Sequence, residues 1–115
     1  MKMKGDYYRY LAEFLQGEPR QLKAEEARLA YDEGMTEAAS LPTTHPVRLG
    51  LALNFSVFQH EVLANTRDAI ITAEGALKTA AGDLASVSEE TRNDAILTMQ
   101  LLQDNLLLWQ PEMQQ

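Results

Sequence analysis

The sequence predicts an all-α fold, and it does so on three observations. Leucine and alanine number 17 and 15, against 4 valines and 3 isoleucines, a balance that favours helices over strands. Apolar residues recur at three- and four-residue spacing in five successive segments, the signature of amphipathic helices. Short stretches rich in Pro, Gly, Thr or Ser separate those segments and read as turns. One domain of about five antiparallel helices, each packing on the next, is the architecture expected.

The first helix is predicted over about Lys2 to Leu15. Tyr7, Tyr10, Leu11 and Phe14 make its apolar face, while Lys2, Asp6, Arg9 and Glu13 line another. Gly17-Glu18-Pro19 reads as a break. The second helix, about Gln21 to Ser40, carries a stripe of mostly small residues: Ala24, Ala27, Tyr31, Met35 and Ala38. The third opens at Thr44-His45-Pro46, with Thr44 as the expected N-cap and the proline in the first turn. From Val47 to Leu63 it is apolar on nearly every side, so it is either buried in a bundle or flanked by partners. The fourth, about Asn65 to Ala85, has Ala69, Ile70, Ala73, Leu77, Ala80 and Leu84 on one face, with Asn65 or Thr66 as cap. The fifth follows Ser88, a good N-cap, with Glu89 and Glu90 in the first turn where carboxylates suit the helix dipole. It runs to about Trp109 and has two apolar stripes. Ile96, Met99, Leu102, Leu106 and Trp109 form the broader one; Leu97, Leu101 and Leu108 form the other, beside Asn105. A surface helix needs only one stripe, so the second should face a groove, a partner or another core.

Composition removes several function classes. The chain has no cysteine, which excludes a disulfide framework, a zinc ribbon and a thiol nucleophile. A net charge of −7 argues against general binding to nucleic acid or anionic membranes. The first residues carry no apolar signal-peptide core, and no run is long enough to span a bilayer. Enzyme signals fail in turn. His60-Glu61 begins a zinc-protease pattern, but Ala64 stands where the second histidine belongs. His45, before Pro46, is a helix-start capping residue. Glu25/Glu26 and Glu89/Glu90 are adjacent, and helical neighbours point in different directions. Asn54-Phe55-Ser56 is a chance match to a glycosylation acceptor. Neither a metal site nor a cofactor is expected.

Two groups of polar residues stand out. Three of the ten basic residues, Lys2, Lys4 and Arg9, lie in the first nine positions of an acidic chain. Arg9 beside Tyr10 offers a planar fork of donors and a hydroxyl, sound chemistry for a phosphate; the plain alternative is an exposed ion pair with Asp6 or Glu13. Asn54 and Asn105 each interrupt an apolar helix. A buried amide without partners costs about 1–3 kcal/mol. Each therefore either faces a groove, where it clasps an extended peptide backbone, or is a core asparagine bonded to a neighbouring helix.

Three blocks resemble the 14-3-3 family of phosphoserine- and phosphothreonine-binding proteins. They are Lys2-Met3-Lys4-Gly5-Asp6-Tyr7-Tyr8-Arg9-Tyr10-Leu11-Ala12-Glu13, then Thr44 through Phe58, then Met99-Gln100-Leu101-Leu102 with Asp104-Asn105-Leu106 and Leu108-Trp109. They occur in the family's order, and the similarity covers almost the whole chain. The resemblance implies an antiparallel helical bundle with an amphipathic groove for extended phosphopeptides. By position it implies that Arg9 and Tyr10 hold phosphate and that Lys2 is a groove lysine. It implies that Asn54 and Asn105 clasp the ligand backbone. Leu53, Val57, Leu97 and Leu101 would form the apolar wall, with Glu61 and Trp109 lining the groove beyond the phosphate.

The departures from the pattern bear on function. The family's domain is about twice this length, so residues 1–115 look like its last five helices. The absent half supplies the family's dimer interface, and a lysine and an arginine of the phosphate pocket. Gln59-His60 replaces a usual pair of tyrosines, Thr98 a larger aliphatic residue, and Gln103 an arginine. The expected function is that of a non-enzymatic, cytoplasmic adaptor in signal transduction, binding phosphorylated client proteins through half a groove. The alternative is a structural or assembly fragment, self-associating through surface that the absent helices would cover.

Overall fold

The structure, a computed structural model, describes residues 5, 6, 9 and 18–114. Every regular element among them is helical. Four α-helices follow in order: α1, Glu18–Ala38; α2, Pro46–Glu61; α3, Thr66–Asp83; and α4, Glu89–Trp109. Short 3-10 turns close α3 (Leu84–Ser86) and α4 (Gln110–Gln114). Of the first predicted helix, residues 5, 6 and 9 are helical and the rest lies outside the described residues. No helix among them is long and apolar enough to cross a membrane.

Capping explains most of the boundaries. Asn65 accepts a hydrogen bond from the Asp68 N–H at 3.1 Å, and Ser88 accepts one from the Thr91 N–H at 3.2 Å, each satisfying a donor the helix itself leaves unpaired. The start of α2 differs from expectation in part. Of the two residues read as capping it, His45 and not Thr44 is the N-cap: its Nδ1 accepts from the Val47 N–H at 3.1 Å. Pro46 occupies the first helical position, so the cap must be the residue immediately before it; Thr44 is buried instead. The start of α1 also differs. Glu18-Pro19 begins the helix rather than breaking it, because a first-turn proline lacks only an N–H that would have no intrahelical partner. Between α2 and α3, Ala64 takes a left-handed φ of 52°, and the turn lets the Asn65 N–H close on the Gln59 carbonyl at 2.8 Å.

The uniformly apolar α2 is central, as its sequence requires. Around its circumference, Leu51, Phe55, Phe58 and Val62 pack on Ala24, Ala27, Tyr31 and Ala38 of α1. The small α1 residues bring the backbones close and leave room for three rings. Tyr31 lies 5.4 Å from Phe55 and 5.2 Å from Phe58 between centroids. The other side of α2, through Leu49 with Leu53 and Val57, joins the core of α3 and α4. There Ala69, Ala73 and Ala80 of α3 meet Ala95, Met99, Leu102, Leu106 and Trp109 of α4. Gln59, also buried, accepts from the Thr72 hydroxyl at 2.7 Å and links α2 to α3.

Two arginines tie loops to helix ends. Arg48 donates to the Leu41 and Ala39 carbonyls after α1 at 2.7 and 3.3 Å. Arg92 donates to the Leu84 and Val87 carbonyls, both at 3.1 Å. On the solvent face of α1, Arg28 pairs with Glu25 and Asp32. Its hydrogen bond holds the Glu25 carboxyl below the usual carboxylate range.

Candidate functional site

Three elements carry the predicted site residues. The first is the segment around Arg9, anchored on α1. The Tyr31 hydroxyl donates to the Asp6 carboxylate. A Cβ on Gly5 would come within 3.2 Å of the Tyr31 ring, so only glycine allows this approach without a shift. The contact fixes the segment against the buried ring of Tyr31. Arg9, one helical turn after Gly5, is half-buried. Lys2 and Tyr10, the other cationic and phosphate-binding candidates here, lie outside the described residues.

The second element is α2. At about 100° per residue, Asn54 and Glu61 fall between its two packed faces, in the arc left open between α1 and α4. Leu53 and Val57 border that arc on the α4 side, both half-buried. Glu61 is exposed. The third element is α4, where the two-stripe reading is borne out in structure. Met99, Leu102, Leu106 and Trp109 are buried, while Leu97, Leu101 and Leu108 are 64%, 53% and 68% exposed. Asn105 lies between the two stripes and is half-buried.

The structure decides one question left open by spacing. Neither Asn54 nor Asn105 is sealed in the core, and neither amide is committed to a hydrogen bond among the described residues. Two amides with free donors and acceptors stand on helices that pack together. One has Val57 and Glu61 on its face, the other a row of open leucines. Such an arrangement can pair with the backbone of an extended peptide while the leucines take its apolar side chains.

Trp109 is placed differently. At 5% exposure it belongs to the core of α3 and α4, and its ring stacks on His60 with centroids 4.9 Å apart. It backs the open surface rather than lining it, because its position on the wheel follows Leu102 and Leu106. Leu108, seven residues beyond Leu101 on the same stripe, is open as well, and Leu107, which that spacing does not reach, is a further exposed leucine. A separate cleft of about 320 Å³ lies between α2 and α3, bordered by Leu49, Ala52, Ile71, Thr72 and Gly75. None of the predicted site residues lines it, and its Arg48 is already committed to backbone carbonyls.

Among the described residues no group of His, Asp and Glu is placed to hold a metal.

Comparison with known proteins agrees with the geometry. The family model described as 14-3-3 protein matches residues 1–110. A 14-3-3-like protein B of Hordeum vulgare is 54% identical over 110 residues, covering 95% of this chain and 42% of its own length. A 14-3-3-like protein of Chlamydomonas reinhardtii is 51% identical over 115 residues, 99% of this chain and 44% of its own length. The 14-3-3-like protein G-BOX factor 14 kappa of Arabidopsis thaliana is 49% identical over 116 residues, covering all of this chain and 47% of its own length. The chain thus spans about half the length of the curated relatives it matches. With an all-helical bundle, an open leucine row and two uncommitted asparagines already in place, a match over nearly every residue has one meaning: the chain belongs to the 14-3-3 family.

Proposed function

We propose that this chain is a phosphoserine- and phosphothreonine-peptide-binding adaptor element of cytoplasmic signalling, without enzymatic activity, carrying half of an amphipathic groove. It corresponds to the last five helices of the family's bundle. Arg9 and Tyr10 take the phosphate, with Lys2 nearby. Asn54 and Asn105 hold the ligand backbone. Leu53, Val57, Leu97 and Leu101 take apolar side chains, and Glu61 marks the far end, with the buried Trp109 supporting that end from the core. One observation carries this reading: the exposed Leu97, Leu101 and Leu108 run beside an uncommitted Asn105, an apolar row with no role in the fold.

Residues 1–115 tested by themselves supply only part of the family's phosphate pocket, two cations fewer than the whole, and bind weakly. Charge-assisted hydrogen bonds contribute about 1.5–3 kcal/mol each, so two absent contacts cost roughly 3–6 kcal/mol, or about a hundred- to ten-thousand-fold in affinity. Fluorescence anisotropy of a labelled phosphoserine peptide and its unphosphorylated twin, titrated with this chain, checks it. The phosphorylated peptide is expected to bind measurably better, and far more weakly than to a full-length relative. Submicromolar binding would contradict the half-groove; identical curves for the two peptides would remove phosphate recognition from this chain.

A second reading rests on α1, where Leu22 and Leu29, seven residues apart, are 66% and 54% exposed. In that reading the chain is an assembly fragment that self-associates through this face. Light scattering is then expected to show an oligomer, and a monomer persisting at high concentration would count against it.

A further inference from the structure

The end of α2 and the segment after α4 meet at His60. Its Nε2 lies 3.1 Å from both carboxylate oxygens of Glu112. Its ring stacks on Trp109 at 4.9 Å between centroids and 16° between planes. Its Nδ1 is buried with no hydrogen-bond partner among the described residues. The imidazole therefore has a single polar outlet, and it is a carboxylate on Gln110–Gln114. That segment also borders a cleft on α3, where Gln110 and Met113 sit with Arg67, Ile70, Ile71 and Glu74.

The strength of this contact depends on one proton. A neutral imidazole with its proton on Nε2 gives Glu112 an ordinary hydrogen bond. With the proton on Nδ1 it turns a lone pair toward the carboxylate. The imidazolium instead offers a charge-assisted N–H to Glu112 and places a cation against the indole face. Its opposing term is the second N–H, at Nδ1, which finds no acceptor.

We propose that His60, Trp109 and Glu112 form a proton-operated latch, in which protonation of His60 tightens the hold of α2 on Gln110–Gln114. The other charges around the pair are few among the described residues. Glu61 follows His60 on α2. Arg67 and Glu74 of α3 flank the cleft beside Gln110 and Met113. On the α4 side the contact is the uncharged Trp109, and Asp104 is exposed. The latch shares Trp109 with the far end of the proposed groove, but none of its polar contacts involves Arg9, Asn54 or Asn105, so it can fail or hold without the phosphopeptide reading.

Trp109 is the single tryptophan of the chain and reports on the latch directly, because an imidazolium stacked on an indole quenches its emission. The test follows emission of the full chain from pH 8 to pH 5, with hydrogen exchange of the Gln110–Gln114 amides corrected for intrinsic rates. The expected result is a single-proton quench with a roughly two- to five-fold rise in protection, the range of a partly exposed ion pair. His60→Phe keeps a stacked ring and is expected to abolish both responses. Glu112→Gln, at an exposed position that does not threaten folding, is expected to keep the quench and lose the gain in protection. His45→Gln, at the other histidine, is expected to keep both. No quench in the unaltered chain, a quench that survives His60→Phe, or protection unaffected by Glu112→Gln would each overturn the latch.

Discussion

Replacing Phe58 by alanine is expected to destabilise the fold by about 3–5 kcal/mol, the usual range for emptying a buried aromatic site. Phe58 is fully buried. Its ring is 5.2 Å from Tyr31 and 6.3 Å from Phe55, and aromatic pairs at such distances add about 0.5–1.5 kcal/mol beyond burial. The surroundings can fill only part of the cavity. On the facing surface of α1, Ala24, Ala27 and Ala38 are too short to move in, which leaves Tyr31 and Met35 as its large side chains there. Native domains are stable by only about 5–15 kcal/mol, so this loss is roughly a fifth of the total or more. Urea denaturation followed by far-UV circular dichroism checks it through the midpoint at unchanged slope. A loss under about 1 kcal/mol would mean that the three rings do not form the α1–α2 core.

Much of this architecture was legible because it is local. The Asn65 and Ser88 caps depend on residues three positions apart, and both hydrogen bonds form. The alanine stripes of α1 and α3 became their buried faces, since helical periodicity alone sets which side chains align. The apolar surround of α2 required neighbours on two sides, and it has them. What was not legible is mainly long-range or a competition between adjacent residues. The His60–Glu112 contact joins positions 52 apart, and no spacing rule connects them. The Gln59–Thr72 bond crosses between helices for the same reason. Thr44 and His45 are both able to cap, and Pro46 decides between them by fixing the first helical position. Trp109 could be read as core or groove because it ends the broader stripe at the edge of the narrower one; packing on His60 settles its ring into the core. In the candidate site, the leucine row and the two asparagines were visible as excess apolarity and misplaced polarity, whereas their exposure is a tertiary property.

The adjacent leucines of α4 separate fold from site. Leu102 is fully buried, and Leu101 is 53% exposed. Leu102→Ala is expected to cost about 2–5 kcal/mol, a transfer term plus a cavity lined by the alanines and Met99 of α3 and α4. Leu101→Ala, with little packing to lose, is expected to stay within about 0.5 kcal/mol. Thermal or urea unfolding of both variants measures the contrast. An apolar residue that contributes little to the fold yet recurs along one helical face, at 97, 101 and 108, needs another explanation, and a ligand's apolar side chains supply it. The same Leu101→Ala chain should then lose part of its phosphopeptide anisotropy signal while its unfolding midpoint holds. If instead the two leucines cost the same, the second stripe is part of a core. The open row beside Asn105 would then not be a surface at all, and the half-groove would lose the observation on which it stands.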